Sequence, residues 1–188
     1  MPAEIYDQPL VWIDLETTGL SFETETILEV ACLITDGSLS KCAQGPNLVI
    51  HHTDKQLLNM SQWCKDQHGK TGLIEESRLS TLDIEKVEEQ LMKFIQETIP
   101  YNNLPLLAGS SVHFDKEFIR KYMPKLFKRL HYRIVDVTSI GEMVKRLNPT
   151  LLRRRPKKTG DHRAMGDIKD SMEELRFYKI HAFKGKST

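Results

Sequence analysis

At 188 residues the chain has the length of one domain with a substantial core, and it shows no internal repeat or low-complexity tract. Its 39% hydrophobic and 28% charged residues argue against a disordered or fibrous protein. A formal net charge of +1 gives no bulk attraction to a polyanion, so any nucleic acid must be held by a local site over few phosphates. Cys32, Cys42 and Cys64 form no Cys-x-x-Cys pair and are odd in number, which favours free thiols in a reducing, cytoplasmic compartment. No apolar run is long enough to cross a bilayer, so no membrane association is expected. The first eight residues carry Glu4 and Asp7 and no Arg, unlike a secretory or transit peptide. Mitochondrial residence would call for a longer precursor.

The first element is a strand. Leu10 to Ile13 is an apolar run rich in β-formers, and it ends in Asp14 and Glu16 before a Thr17-Thr18-Gly19 turn signal. Side chains alternate across a strand, so the two acids point to one face. Like charges there repel unless something neutralises them, and a hard divalent cation prefers oxygen ligands. Solvated surface charge is nevertheless the commoner reading of a lone Asp-x-Glu pair. Ile27 to Thr35 and Pro46 to His51 read as the second and third strands, and the short connections make the three an antiparallel meander.

Ser61 to His68 reads as a short helix with Ser61 as N-cap, broken by Gly69 and Gly72. No apolar periodicity surrounds Trp63, which either packs down on the domain or offers a stacking platform for a nucleobase. Thr81 to Thr98 has helical spacing through Val87, Leu91, Phe94 and Ile95, and Pro100 stops it. Pro105 to Ala108 is a buried strand ending at Gly109. A small-residue loop then leads to a helix with Asp115 on its first turn, at the carboxyl end of a strand, where open α/β sheets place ligands. Lys125 to Leu130 is a basic amphipathic turn, Tyr132 to Val137 a strand and Thr138 to Leu147 a helix. Asn148 to Gly160 reads as a loop whose basic run, Arg153 to Lys158, is either solvated or a phosphate contact. The last helix opens near Asp161, a candidate N-cap, and runs to about Tyr178. His162 belongs to its entrance, and Asp167, five residues on, does not share a stripe with it.

Each signal alone is weak. In order, however, Asp14-x-Glu16, Asp115, His162 and Asp167 supply four carboxylates and one imidazole. This set resembles the DEDDh exonucleases of the ribonuclease-H-like fold. Trp12 to Leu20, Met60 to Cys64, His68 to Leu73, His131-Tyr132-Arg133, Asp136-Val137 and His162-Arg163-Ala164 together resemble the oligoribonuclease branch, from roughly Leu10 to Tyr178. The resemblance implies an α/β fold with a mixed five-stranded sheet, an antiparallel meander plus parallel strands, flanked by helices. It implies one exonuclease domain over 1–188 with a catalytic core of about 9–180.

It also implies chemistry. Asp14, Glu16, Asp115 and Asp167 would ligate two Mg2+ or Mn2+ ions about 4 Å apart, which clamp the attacking and leaving oxygens of an in-line displacement. His162 would be the general base. The implied activity is 3′-to-5′ exoribonuclease action on single-stranded RNA of roughly two to five nucleotides, down to dinucleotides, giving nucleoside 5′-monophosphates. Leu20 and Trp63 would hold the bases, with Ser111 beside them. Tyr132, Arg133, Thr138 and Ser139 would cap the 5′-phosphate, the tyrosine coming from the partner in a homodimer, so that long chains are excluded. Thr17, Phe114 and Gly166 depart from the family pattern, Gly166 by up to about 1 kcal/mol of helix stability. None removes a ligand or the base. A related exonuclease trimming longer RNA or DNA ends, and a catalytically silent nucleotide-binding module, are the alternatives.

Overall fold

The computed structural model describes residues 7–160 and 162–183. The chain opens with the meander β1 (Leu10–Thr17), β2 (Ile27–Thr35) and β3 (Cys42–Val49). The short helices α1 (Asp54–Leu58), α2 (Gln62–Lys70) and α3 (Leu73–Leu79) follow, then the long α4 (Ile84–Thr98). Next come β4 (Leu106–Gly109), α5 (His113–Tyr122), α6 (Pro124–Arg129), β5 (Ile134–Asp136), α7 (Val137–Leu147), α8 (Pro149–Leu152) and α9 (Ala164–His181). The sheet order is β3-β2-β1-β4-β5, with β1 antiparallel to β2 and parallel to β4, and β4 parallel to β5. This is the mixed, ribonuclease-H-like sheet expected from the sequence.

Strand alternation sorts the core into two layers. Val11 and Ile13 pack with Val87, Leu91, Ile95, Phe118 and Leu126 of α4, α5 and α6. Leu10 and Trp12 face the other way, onto Val137 and Val144 of α7 and Ile168, Met172 and Tyr178 of α9. Even-numbered residues of β1 therefore point at α9, and Asp14 and Glu16 continue that series beyond Trp12. A third, smaller cluster seats the short helices, with Leu57, Met60, Cys64 and Leu73 on Leu28.

The structure differs from the sequence reading in several elements. β1 carries both acids, as expected, and runs one residue further, to Thr17, its register shifting between Glu16 and Thr17. β3 begins four residues earlier than expected, because its exposed first half is held by pairing with β2. α2 runs through Gly69, where a break is expected from the sequence. A helical glycine costs only about 1 kcal/mol. The stop comes at Gly72, whose φ of +79° suits glycine and which caps α3. α8 interrupts what reads as a loop, with Asn148 accepting from the Leu151 amide and Pro149 at the first turn. Asp161, the expected cap of the last helix, lies outside the described residues; α9 begins at Ala164, which places Asp167 within its first turn. Among the described residues, no helix is long and apolar enough to cross a membrane.

Candidate active site

The site lies where β1, β4 and α9 converge. Asp14, Glu16 and Asp167 each offer an oxygen such that these atoms lie within 4.8 Å of one another. The fourth acid arrives from α5. Gly109 ends β4 with its α-carbon close to the Ile13 carbonyl, where an added Cβ would come within 3.1 Å. That approach lets the loop fold tightly into α5. Asp115 Oδ1 then accepts a 3.0 Å hydrogen bond from the Leu15 amide, between the two β1 acids. Ser111, in the same loop, has φ +54°, and His162, at the entrance to α9, has φ +50°. Left-handed backbone at non-glycine residues is uncommon and clusters at functional sites.

Electrostatics reflect the crowding. Burial, then the neighbouring carboxylates Asp115, Asp167 and Glu16, push the Asp14 carboxyl well above its ordinary range, opposed by Lys158. Burial and the charges of Asp167, Glu29 and Asp115 raise Glu16 to about 8, opposed by Arg163. Burial raises Asp115 to about 7, although the Leu15 amide pulls the other way. Three carboxyls raised by burial and by their acidic neighbours, with Asp167 beside them, fit a hard divalent cation, whose charge would favour their ionised forms. The acidic cluster is thus chemically suited to metal.

Around the acids runs a cleft of about 940 Å3, bordered by Asp14, Glu16, Asp115, Leu20, Trp63 and Ser111 among others. Leu20 is 79% and Trp63 64% exposed, so Trp63 does not pack down on the domain. Phe114 borders the same cleft, while Thr17 turns its hydroxyl to the Gly19 carbonyl at 2.8 Å. Thr138 and Ser139 are exposed at the start of α7, where Asp136 accepts from both their amides. Ser111 Oγ donates to Thr138 Oγ1 at 3.1 Å, linking that helix start to the cleft.

Two expected residues are not brought to the acids. Tyr132 and Arg133 line a separate depression with Lys116, Glu117 and Arg120. His113 borders both hollows, its Nδ1 3.1 Å from Asp136 Oδ2.

Three supporting residues carry no role in the sequence reading. His68 is buried on α2, and its Nε2 lies 2.9 Å from the Thr17 carbonyl. A carbonyl only accepts, so Nε2 holds the proton and Nδ1, 3.8 Å from Glu16 Oε2, is the basic nitrogen. Burial keeps this histidine below its usual range. Arg163 donates from Nε and Nη2 to fully buried Glu29, and from Nη1 and Nη2 to Glu76. Its pKa is driven up by those bonds. The clamp fixes the entrance of α9, and with it His162, against β2 and α3. The signal for it is a lone acid, Glu29, inside an otherwise apolar strand.

A ribonuclease-H-like sheet with a carboxylate cluster at the carboxyl ends of its central strands is the frame of an exonuclease. The exonuclease (RNase T) family matches residues 11–175. The mitochondrial oligoribonuclease of Bos taurus is 46% identical over 180 residues, 96% of this chain and 76% of its own. The oligoribonuclease of Pseudoalteromonas atlantica is 45% identical over 176 residues, 94% and 96% of the two chains. Among solved structures, E. coli exonuclease I in complex with a 5cy-dT13 oligonucleotide matches with a TM-score of 0.70 at 16% identity over 93% of this chain. That likeness speaks for the fold, and this chain spans 41% of that chain's length. The chain belongs to the exonuclease family, in its oligoribonuclease branch.

Proposed function

We propose that the chain is a metal-dependent 3′-to-5′ exoribonuclease that hydrolyses RNA of roughly two to five nucleotides to nucleoside 5′-monophosphates. The observation that carries this is the meeting of Asp14, Glu16 and Asp167 oxygens within 4.8 Å, in a chain 46% identical to a named oligoribonuclease. Asp14, Glu16, Asp115 and Asp167 would hold two ions, magnesium or manganese. When bound, such ions stabilise charge on the phosphoryl oxygens and make water a better nucleophile at neutral pH.

The remaining work falls to the protein. His162, exposed at the mouth of the site, accepts the proton of the attacking water as general base. Trp63 stacks on a base and Leu20 packs beside it, while Ser111 lies at the sugar-phosphate backbone. Thr138 and Ser139 meet the 5′-phosphate. Tyr132 and Arg133 line a hollow apart from the acids of their own subunit, which supports a homodimer in which the partner's Tyr132 completes the cap. The compartment proposed is the cytoplasm, extended to the mitochondrion by the names of the bovine and human relatives.

The test is cleavage of 5′-phosphorylated RNAs of two and seven nucleotides, in magnesium and in EDTA, with Asp14→Asn as control. The expected outcome is metal-dependent turnover of the dinucleotide and slow attack on the heptamer. Equal or faster cleavage of the heptamer would move the assignment to an exonuclease of longer ends. Cleavage of neither would leave a nucleotide-binding module.

A further inference from the structure

Leu20 stands 79% exposed in the connection between β1 and β2. A side chain so exposed draws little support from packing, and its place over the cleft depends on the backbone beneath it. The base of the loop is closed from within. The Thr18 amide donates to the Thr26 carbonyl at 2.9 Å, and the Thr26 amide to Thr18 Oγ1 at 3.0 Å. The far side turns on Ser21, whose carbonyl accepts from the Glu25 amide at 2.8 Å.

The outer wall of the same loop is held from α5. Tyr122 Oη donates to the Glu25 carbonyl at 2.5 Å, and Lys121 Nζ donates to the carbonyls of Phe22 and Glu23, each at 2.9 Å. Lys121 also lies over the Tyr122 ring, 4.5 Å from its centroid, and that ring stacks on Phe118. Asp115, Phe118 and Tyr122 are spaced i, i+3 and i+7, so they share one face of the helix. At the other end of that face Asp115 accepts from the Leu15 amide at 3.0 Å. α5 therefore grips the chain on both sides of Leu20, at Leu15 through an acid of the cluster and at Glu25 through Tyr122.

Two turns of helix fix the rise between those grips at about 10 Å. The cleft is bordered by Leu20, Ser21, Glu25 and Asp115, and not by Lys121 or Tyr122. We propose that Tyr122 and Lys121 are positioning residues, which latch the loop to α5 and so hold Leu20 at a set distance from the carboxylates. This rests on the reading above in which Leu20 packs beside a base, and adds to it two residues that touch no substrate.

Tyr122→Phe keeps the ring and removes only its hydroxyl, and Lys121→Met keeps an unbranched chain at an exposed position, so neither disturbs the core. The test measures kcat and KM on a 5′-phosphorylated dinucleotide in magnesium. The proteins compared are the unmutated one, the Tyr122→Phe/Lys121→Met double variant, Lys121→Arg, Leu20→Ala, and Leu20→Ala combined with the double variant. The double variant is expected to raise KM about fivefold or more with kcat within about twofold, because binding is lost while the carboxylates stay in place. Lys121→Arg, which can still donate to the two carbonyls, keeps KM within about twofold. In the Leu20→Ala background the double substitution adds less than about twofold, since the latch has no side chain left to place. The full rise in that background would overturn the proposal. So would no rise in the Leu20 background, or a fall in kcat at constant KM, which would assign the pair to support of Asp115 instead. Leu20→Ala with an unchanged KM, or no turnover by the unmutated protein, would remove the base-holding reading and the proposal with it. Failure of the latch alone leaves the effect of Leu20→Ala intact, which tells the two failures apart.

Discussion

Trp63 and His68 sit on one nine-residue helix and do opposite things. Trp63 is 64% exposed, whereas His68, five positions on, is 2% exposed and bonded to the carbonyl of Thr17. An apolar ring left in water on a helix whose inner face is already filled by Cys64 and His68 contributes little to folding. Its location at the cleft gives it a reason to be there. Trp63→Ala should therefore lower kcat/KM on a 5′-phosphorylated dinucleotide by about 5- to 150-fold, the equivalent of losing about 1–3 kcal/mol of base stacking. The thermal midpoint should move by less than about 1 °C, because almost no buried surface is removed. A midpoint lowered by several degrees with unchanged kcat/KM would return Trp63 to a packing role. His68 was visible only as part of a motif. Its function appears when Thr17 and Glu16, about fifty positions earlier, are folded against it.

At the level of elements, sequence patterning reported what depends on neighbours in the chain. The apolar run of β1, the spacing of α4 and the turn signals around β4 are local, and those elements formed where expected. α1 and α3, of five and seven residues, are too short to show a period. α1 is held by a capping box between Thr53 and Gln56, and both helices stand on Leu28 of β2. The five catalytic candidates were legible because their order and spacing match a family. What holds them was not: Arg163 meets Glu29 across 134 residues. This clamp ties α9 to β2 and α3, so its loss should be felt by the whole α9 entrance. Arg163→Met leaves Glu29 buried and unmatched, which costs about 3–5 kcal/mol when one partner of a buried pair is removed. The expected result is a midpoint lowered by several degrees and a lower kcat, since His162 and Asp167 flank the arginine. Adding Glu29→Gln should recover much of the midpoint by removing the stranded charge. A double variant no more stable than the single one would show that the pair does not act through charge.

For the whole molecule, folding concentrates four acids at one end of a sheet, and stability must then depend on what neutralises them. In protein stripped with EDTA, Glu16 is raised to about 8, Asp115 to about 7, and Asp14 also lies well above its usual range. These carboxyls hold protons in the folded state that the unfolded chain has already released, so the folded state binds more protons throughout that window. Stability that is full below the ordinary carboxylate range is therefore lost as pH rises through the raised values. His52 and His68 act with the opposite sign. Burial lowers both, so their charging destabilises the fold only as pH falls below the usual histidine range. Between about pH 6.5 and pH 8 the acids dominate, and the midpoint of the stripped protein should fall and then level off. A divalent cation held by this cluster would bind the ionised carboxylates and displace their protons, so its stabilising effect should grow over the same window and plateau above it. Scanning calorimetry from pH 6 to pH 9, with EDTA and with saturating magnesium, measures both curves. A gap between them that stays constant with pH would mean that the acids are already ionised in the metal-free fold, and that something other than a cation balances their charge.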